Sequence, residues 1–310
     1  FFSFLCLCLF FFREMDRLQR WSPSLNRRCL ILQCALLVSL FSWPVSAGKP
    51  AVATPPIMDE WDKYPGMKSG VDGVAAVGFG TRLYVFGGST NASHSGNNGV
   101  KTSAVLNTAT KTWNPLPPMT SGRCCSAPVV WRDQIFVMGG MFDEEVFGEV
   151  EVYNATGNYW HHTLPLPTSR CCMAAVTFGN EFYIMGGGDN RGYALDVIEI
   201  YSPTKKSWRT SEVKLAEPRT FFGAAVYEDA IIVVGGQVTY DSRTCVQKYY
   251  PANPQKGWVN LAAPDAAHRA FGSATLGNYF FLVGGMAKDS GLEPTAKVEA
   301  YDMKRDTWFP

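Results

Sequence analysis

Three arginines recur at matched places in this chain, and each could hold a carboxylate. Arg123 follows Trp113 by ten residues, Arg170 follows Trp160 by ten, and Arg219 follows Trp208 by eleven. His268, beside Arg269, takes the matching place after Trp258, and Val71 takes it after Trp61. A guanidinium makes charge-assisted, often bidentate bonds to planar anions. Three or four such groups around one opening suit a carboxylate or an acidic peptide, so Arg123, Arg170, Arg219 and His268 are candidate ligand-binding residues. The competing role is architectural: the same groups pair with carbonyls or acids and hold the fold together. Two of the arginines also open the triplets Arg123-Cys124-Cys125 and Arg170-Cys171-Cys172. Four sulfurs from two neighbouring units could form a thiol or metal site. Against this, alternate residues of a strand face opposite sides, and no Cys-x-x-Cys spacing is present. Core packing is the expectation for these thiols.

No catalytic set can be assembled from the rest of the chain. The four histidines are His94, His161, His162 and His268, and none sits in a metal-ligand spacing. Neither a metal nor a cofactor is expected. The glycine pairs end apolar runs and do not open helices, so they are not phosphate cradles. With a net charge of +1 and 18% charged residues, the chain has no basic stripe for nucleic acid.

The elements that must carry these residues repeat along the chain. Five glycine doublets, Gly87-Gly88, Gly139-Gly140, Gly186-Gly187, Gly235-Gly236 and Gly284-Gly285, recur at intervals of 47 to 52 residues. Trp61, Trp113, Trp160, Trp208, Trp258 and Trp308 keep the same period. A period near 50 residues marks a repeat architecture. Each doublet stops an apolar run such as Phe182-Tyr183-Ile184-Met185, which predicts a strand buried on both faces. A shorter run of small residues precedes it and predicts a strand crowded near an axis. Tyr153, Tyr201 and Tyr301 each precede a tryptophan by seven residues, Leu106 takes this place before Trp113, and Tyr250 precedes Trp258 by eight. These pairs predict an outer hairpin with its rings against the next sheet. Four strands per unit make one blade of a β-propeller.

The order Gly-Gly, Tyr, Trp, Leu-Pro, Arg, clearest at Gly139-Gly140, Tyr153, Trp160, Leu164-Pro165 and Arg170, resembles the kelch repeat. The resemblance covers about residues 58–310 and implies an all-β kelch propeller of four-stranded blades. Five blades are complete. Trp61, with the tail Tyr64-Pro65-Gly66-Met67, reads as an orphan outer strand of another, so the chain reads as part of a six-bladed ring cut at its C-terminal end. The resemblance also implies that the arginine position can supply partner-binding groups, as in kelch adaptors. The crosslinked tyrosine and cysteine of copper-radical sugar oxidases, and the iron-binding residues of plant specifier proteins, cannot be matched here. The function implied is non-catalytic binding of a protein or carbohydrate partner through loops such as Ser89 to Val100 and Met141 to Phe147. The alternative is a secreted or lumenal sugar-active enzyme of the sialic-acid-epimerase-like type. A third reading, a cytosolic ubiquitin-ligase adaptor, is not the expectation, since no F-box or BTB pattern is read in residues 1–57.

The first residues read as a leader. Residues 1–14 look untranslated, because Met15 is the first methionine. From there Arg17, Arg20, Arg27 and Arg28 precede an apolar segment from Leu30 to Trp43 and the small-residue site Val45-Ser46-Ala47. Residues 15–47 thus describe a signal peptide, or an anchor if uncleaved, with 48–57 as a linker. This predicts the secretory pathway, with the cytoplasm as the alternative; sequons at Asn91 and Asn154 are compatible with glycosylation. The five cysteines beyond Ala47 form no disulfide framework.

Overall fold

The apolar runs that stop at the glycine doublets become the second strands of five antiparallel sheets. The computed structural model describes residues 63–67, 70–90, 99–143, 145–238, 241–242, 244–287 and 294–309. The leader, the linker, Trp61 and Asn91 lie outside the described residues. Blade 1 comprises Ala75–Phe79, Arg82–Phe86, Ser103–Asn107 and Thr112–Pro115. Blade 2 comprises Ala127–Trp131, Gln134–Met138, Val150–Asn154 and Tyr159–His162. Blade 3 holds Ala174–Phe178, Glu181–Met185, Ile198–Ser202 and Ser207–Thr210. Blade 4 holds Gly223–Tyr227, Ala230–Val234, Val246–Tyr249 and Trp258–Leu261. Blade 5 holds Gly272–Leu276, Tyr279–Val283, Val298–Asp302 and Thr307–Phe309. In every blade the strands neighbour one another in chain order, and the first strands of successive blades touch along the axis.

The core lies between blades, which explains why the second strands are apolar without alternation. Ile135 and Val137 of blade 2 pack with Tyr84 and Phe86 of blade 1. Their neighbours Phe136 and Met138 pack instead with Phe182 and Ile184 of blade 3. Similar clusters join blades 3 and 4 through Tyr183 and Ile231, and blades 4 and 5 through Ile232 and Phe280. Each such side chain contributes about 1.5–3 kcal/mol on burial.

The outer hairpins follow the expected register. Tyr153 pairs with Trp160, Tyr201 with Trp208, Tyr301 with Trp308 and Leu106 with Trp113. Blade 4 departs from the expectation. Tyr249, not Tyr250, pairs with Trp258 and stacks on it at 5.3 Å. The longer turn there contains the short helix Pro254–Lys256, whose extra residues shift the ring in sequence while strand register keeps it in place.

Each tryptophan also ties its blade to the preceding one. Trp160 Nε1 donates to Pro117 O at 2.8 Å, Trp258 Nε1 to Lys214 O at 2.7 Å and Trp308 Nε1 to Ala262 O at 2.9 Å. Trp113 Nε1 makes the same bond to Pro65 O at 2.7 Å. Pro65 follows Trp61 by four residues, as Pro117 follows Trp113. Residues 63–67 thus fill the place where the outer strand of a preceding blade ends, with Tyr64 and Met67 packed on Leu83, Val85 and Leu106.

Candidate functional site

The segment leading into each first strand has one design. Arg123, Arg170, Arg219 and His268 each stand four residues before that strand, and all four are fully buried. The sixteen residues between each arginine and its doublet are spanned by a hydrogen bond: Nη1 donates to Gly139 O at 3.2 Å, Gly186 O at 2.9 Å and Gly235 O at 3.2 Å. The arginine's own carbonyl accepts from the second glycine of the preceding doublet. These bonds run from Gly88 to Arg123 at 2.8 Å, from Gly140 to Arg170 at 3.0 Å and from Gly187 to Arg219 at 2.9 Å; Gly236 serves His268 at 2.8 Å. Every glycine of the five doublets has positive φ, from 58° to 102°. Arg170 thus clamps blade 3 through its side chain and blade 2 through its backbone.

The other terminal nitrogen of each guanidinium, Nη2, meets a partner on or just before the third strand. Arg123 Nη2 donates to Glu151 Oε1 at 2.6 Å and to Glu149 Oε2 at 2.7 Å. Arg170 Nη2 lies 3.0 Å from Glu199 Oε2, and Arg219 Nη2 donates to Gln247 Oε1 at 2.7 Å. His268 Nε2 is 2.6 Å from Glu299 Oε2. Burial pushes the Arg170 guanidinium below its ordinary pKa, and Glu199 opposes that shift. Glu151 and Glu199 are themselves buried. Glu151 Oε1 also accepts from Ser121 N–H, its Oε2 accepts from Thr120 N–H, and Glu199 Oε1 accepts from Thr168 Oγ1.

In this placement the four side chains are buried between neighbouring segments and are not displayed as open cations. They show no surface to solvent. The buried charges are compensated by glycine carbonyls and third-strand acceptors, while Arg123 Nε and Arg219 Nε have no hydrogen-bond partner among the described residues. Of the two roles open to them, the geometry supports the architectural one. The acidic partners were missed from the sequence, although a signal existed. Glu151, Glu199, Gln247 and Glu299 each stand two residues before the hairpin tyrosine. In blade 1 the matching pair is Val71 and Ala104, so cation and acceptor are absent together.

The cysteines of the triplets pack into the interior as expected, with Cys171 and Cys172 in a buried cluster, but the strand alternation expected of them fails. Cys125 and Cys172 have φ of 58° and 54°, a left-handed conformation outside the alternation of a strand. Gly73, Phe221 and Ala270 share it at the matching positions. A belt of backbone hydrogen bonds joins them from blade to blade: Cys125 N donates to Gly73 O at 2.7 Å, and Cys172 N to Cys125 O at 2.8 Å. Phe221 N continues to Cys172 O at 2.9 Å, and Ala270 N to Phe221 O at 3.0 Å. Because alternation fails here, adjacent sulfurs share a side: Cys172 Sγ is 3.5 Å from Cys171 Sγ, with Cys125 packed beside them. Among the described residues, no group of three or more His, Cys, Asp or Glu is arranged to hold a metal.

The solvent-facing surface is divided by connection length. First and second strands are joined by two-residue turns such as Gly179-Asn180 and Gly277-Asn278. Second and third strands are joined by eleven to sixteen residues, at 87–102, 139–149, 186–197, 235–245 and 284–297. In an antiparallel meander these two kinds of connection emerge at opposite ends of the sheet. The described parts of the long loops touch: Val146 N donates to Asn190 Oδ1 at 2.6 Å, and Phe142 lies against Gly99. In the third loop Asp189 Oδ1 accepts from the N–H groups of Arg191 and Tyr193, both at 2.9 Å, and holds out a Tyr193 ring that is 68% exposed. Asn154 ends a third strand at the opposite face, where its Oδ1 accepts from Gly157 N at 2.6 Å.

Comparison with known proteins agrees with this architecture. The KLHDC2/KLHL20/DRC7 Kelch-repeats domain matches residues 60–236, and the Kelch motif matches residues 267–310. The chain is 24% identical over 253 residues to Kelch-like protein 38 of Homo sapiens, covering 80% of this chain and 42% of that protein. It is 26% identical over 240 residues to Kelch-like protein terF of Aspergillus terreus, covering 73% and 41% respectively. The chain therefore spans about two-fifths of the length of these relatives. A solved structure described as "Structure of YjhT" has the same fold, with a TM-score of 0.69 at 14% identity over 81% of this chain and 87% of that one.

Proposed function

Because the chain belongs to the kelch-repeat family, we propose that its propeller is a non-catalytic interaction module that docks a protein partner on the long-loop face. The observation carrying this reading is the asymmetry of the two ends. One is closed by short turns, while the other collects long loops that differ from blade to blade on a repeating four-stranded scaffold. Tyr193 and Arg191 are the anchors: both are exposed, both are of types enriched at binding hot spots, and the Asp189 turn holds them in place at little entropic cost. The buried arginines act only indirectly, by fixing where each loop leaves its doublet.

The test is affinity capture from cell extract with the tagged protein, compared with Tyr193→Ala and Arg191→Ala. Tyr159→Ala is the control, since Tyr159 is 52% exposed on an outer strand beside the short-turn end. The principal captured protein should fall roughly tenfold with Tyr193→Ala, a loss of about 1.4 kcal/mol, and remain with Tyr159→Ala. Equal capture by all three variants would place the docking surface elsewhere.

A further inference from the structure

We propose that Cys125 and Cys172 form an oxidation-sensitive dithiol that closes into a disulfide across the boundary between blades 2 and 3, with a small-molecule disulfide such as glutathione disulfide as oxidant. Both residues sit on the axial belt, one in each blade, joined by the 2.8 Å bond from Cys172 N to Cys125 O. Such a direct bond keeps two Cα atoms close, and disulfides accept Cα separations of about 4.4–6.8 Å. The sulfurs share a small cluster bounded by Val146, Met141 and Phe221, and Cys172 Sγ is 3.5 Å from Cys171 Sγ. Burial pushes the Cys172 thiol up, but hydrogen bonds from Cys125 and Cys171 more than offset it, so its pKa falls below the ordinary thiol value. Thiolate is the form that attacks a disulfide.

Exposure sets the order of events. Cys172 and Cys171 are buried, whereas Cys125 is partly exposed. The Cys125 thiolate attacks one sulfur of glutathione disulfide, forming a mixed disulfide and releasing one glutathione thiolate. The Cys172 thiolate then attacks the Cys125 sulfur, forming the protein disulfide and releasing the second glutathione. The protein loses two protons and two electrons, and one glutathione disulfide becomes two glutathiones. Cys171 is the weaker partner for Cys172, because a bridge between adjacent residues must close a strained ring inside one turn.

The protein, equilibrated in glutathione buffers of increasing oxidised fraction, is alkylated, cleaved with trypsin and analysed by mass spectrometry. Cleavage separates the Cys124-Cys125 peptide, residues 124–132, from the Cys171-Cys172 peptide, residues 171–191. The expected product is a cross-link between them, with Cys124 and Cys171 alkylated and fragmentation locating the bridge at Cys125 and Cys172 in the wild type. Cys172→Ser should lose the cross-link and retain a glutathione adduct on Cys125, while Cys124→Ser keeps the cross-link. Full alkylation of all four cysteines in the oxidised buffer would overturn the proposal. So would a bridge confined to residues 171–191, or a cross-link that survives Cys125→Ser. Because the wild-type fragmentation decides by itself, a variant that fails to fold leaves the result intact.

Discussion

Glu199 shows how much a buried residue depends on its partner. It is nearly inaccessible and faces Arg170 at 3.0 Å. Removing one member of a buried ion pair strands the other, at about 3–5 kcal/mol, whereas replacing both with apolar groups can be close to neutral. Arg170→Met should therefore cost about 3–5 kcal/mol in denaturant unfolding, and Arg170→Met with Glu199→Leu should cost less than Arg170→Met alone. Blade 1 carries the apolar version already, as Val71 and Ala104. Asp72, next to Val71, gives a pH-dependent case. Burial raises its carboxyl from 3.8 to about 6, against backbone hydrogen bonds at Asp72 and Ser89 that lower it. With the folded value above the unfolded one, the contribution to stability is present below pH 4 and is lost as pH rises through about 6. Asp72→Asn should thus gain stability relative to wild type between pH 4 and pH 7, on the order of 1–2 kcal/mol. Thermal melts of both proteins across that range measure the difference.

Among the elements, the doublet and the belt put opposite demands on left-handed backbone. Gly236 has φ of 97°, and a Cβ there would stand 2.8 Å from Thr220 O and 2.6 Å from Phe222 Cβ. Ala270 has φ of 53° and already carries a side chain in a conformation that costs an L-residue about 1–2 kcal/mol. Gly236→Ala should destabilise by more than that strain alone, since backbone must also move. Ala270→Gly should be neutral or stabilising by up to about 1 kcal/mol. Chemical denaturation of the two variants checks the contrast. The doublets' role was legible from the sequence, because glycine stopped an apolar run five times. The belt was not. Gly73, Phe221 and Ala270 share no side-chain chemistry with Cys125 and Cys172, and what repeats among all five is a backbone angle.

For the molecule as a whole, stability is shared between neighbours. Each blade boundary has its own core cluster and its own tryptophan bond, so damage should stay local. Residues 63–67 test this, because Pro65 accepts the Trp113 bond and Tyr64 and Met67 cover one side of blade 1. A chain starting after Met67 should show faster amide exchange in Ser103–Asn107 and Thr112–Pro115. Exchange in Gly223–Tyr227 and Ala230–Val234 should be unchanged. Mass-spectrometric hydrogen exchange on both chains measures it, and uniform acceleration through all blades would show global coupling instead.

The sequence by itself determined the kelch propeller, the length of its repeat, the four strands per blade and the place of the arginine before the first strands of blades 2, 3 and 4. These are periodic properties, and a period survives in one dimension because every unit solves the same packing problem with the same residue types. The direction in which the arginines spend their charge was decided only in three dimensions. Glu151, Glu199 and Glu299 lie some thirty residues away in sequence, and only strand pairing brings them to Arg123, Arg170 and His268. The meeting of Cys125 with Cys172 was settled the same way. Curvature about the axis turns a separation of 47 residues into one hydrogen bond, and a left-handed residue turns two adjacent sulfurs to the same side.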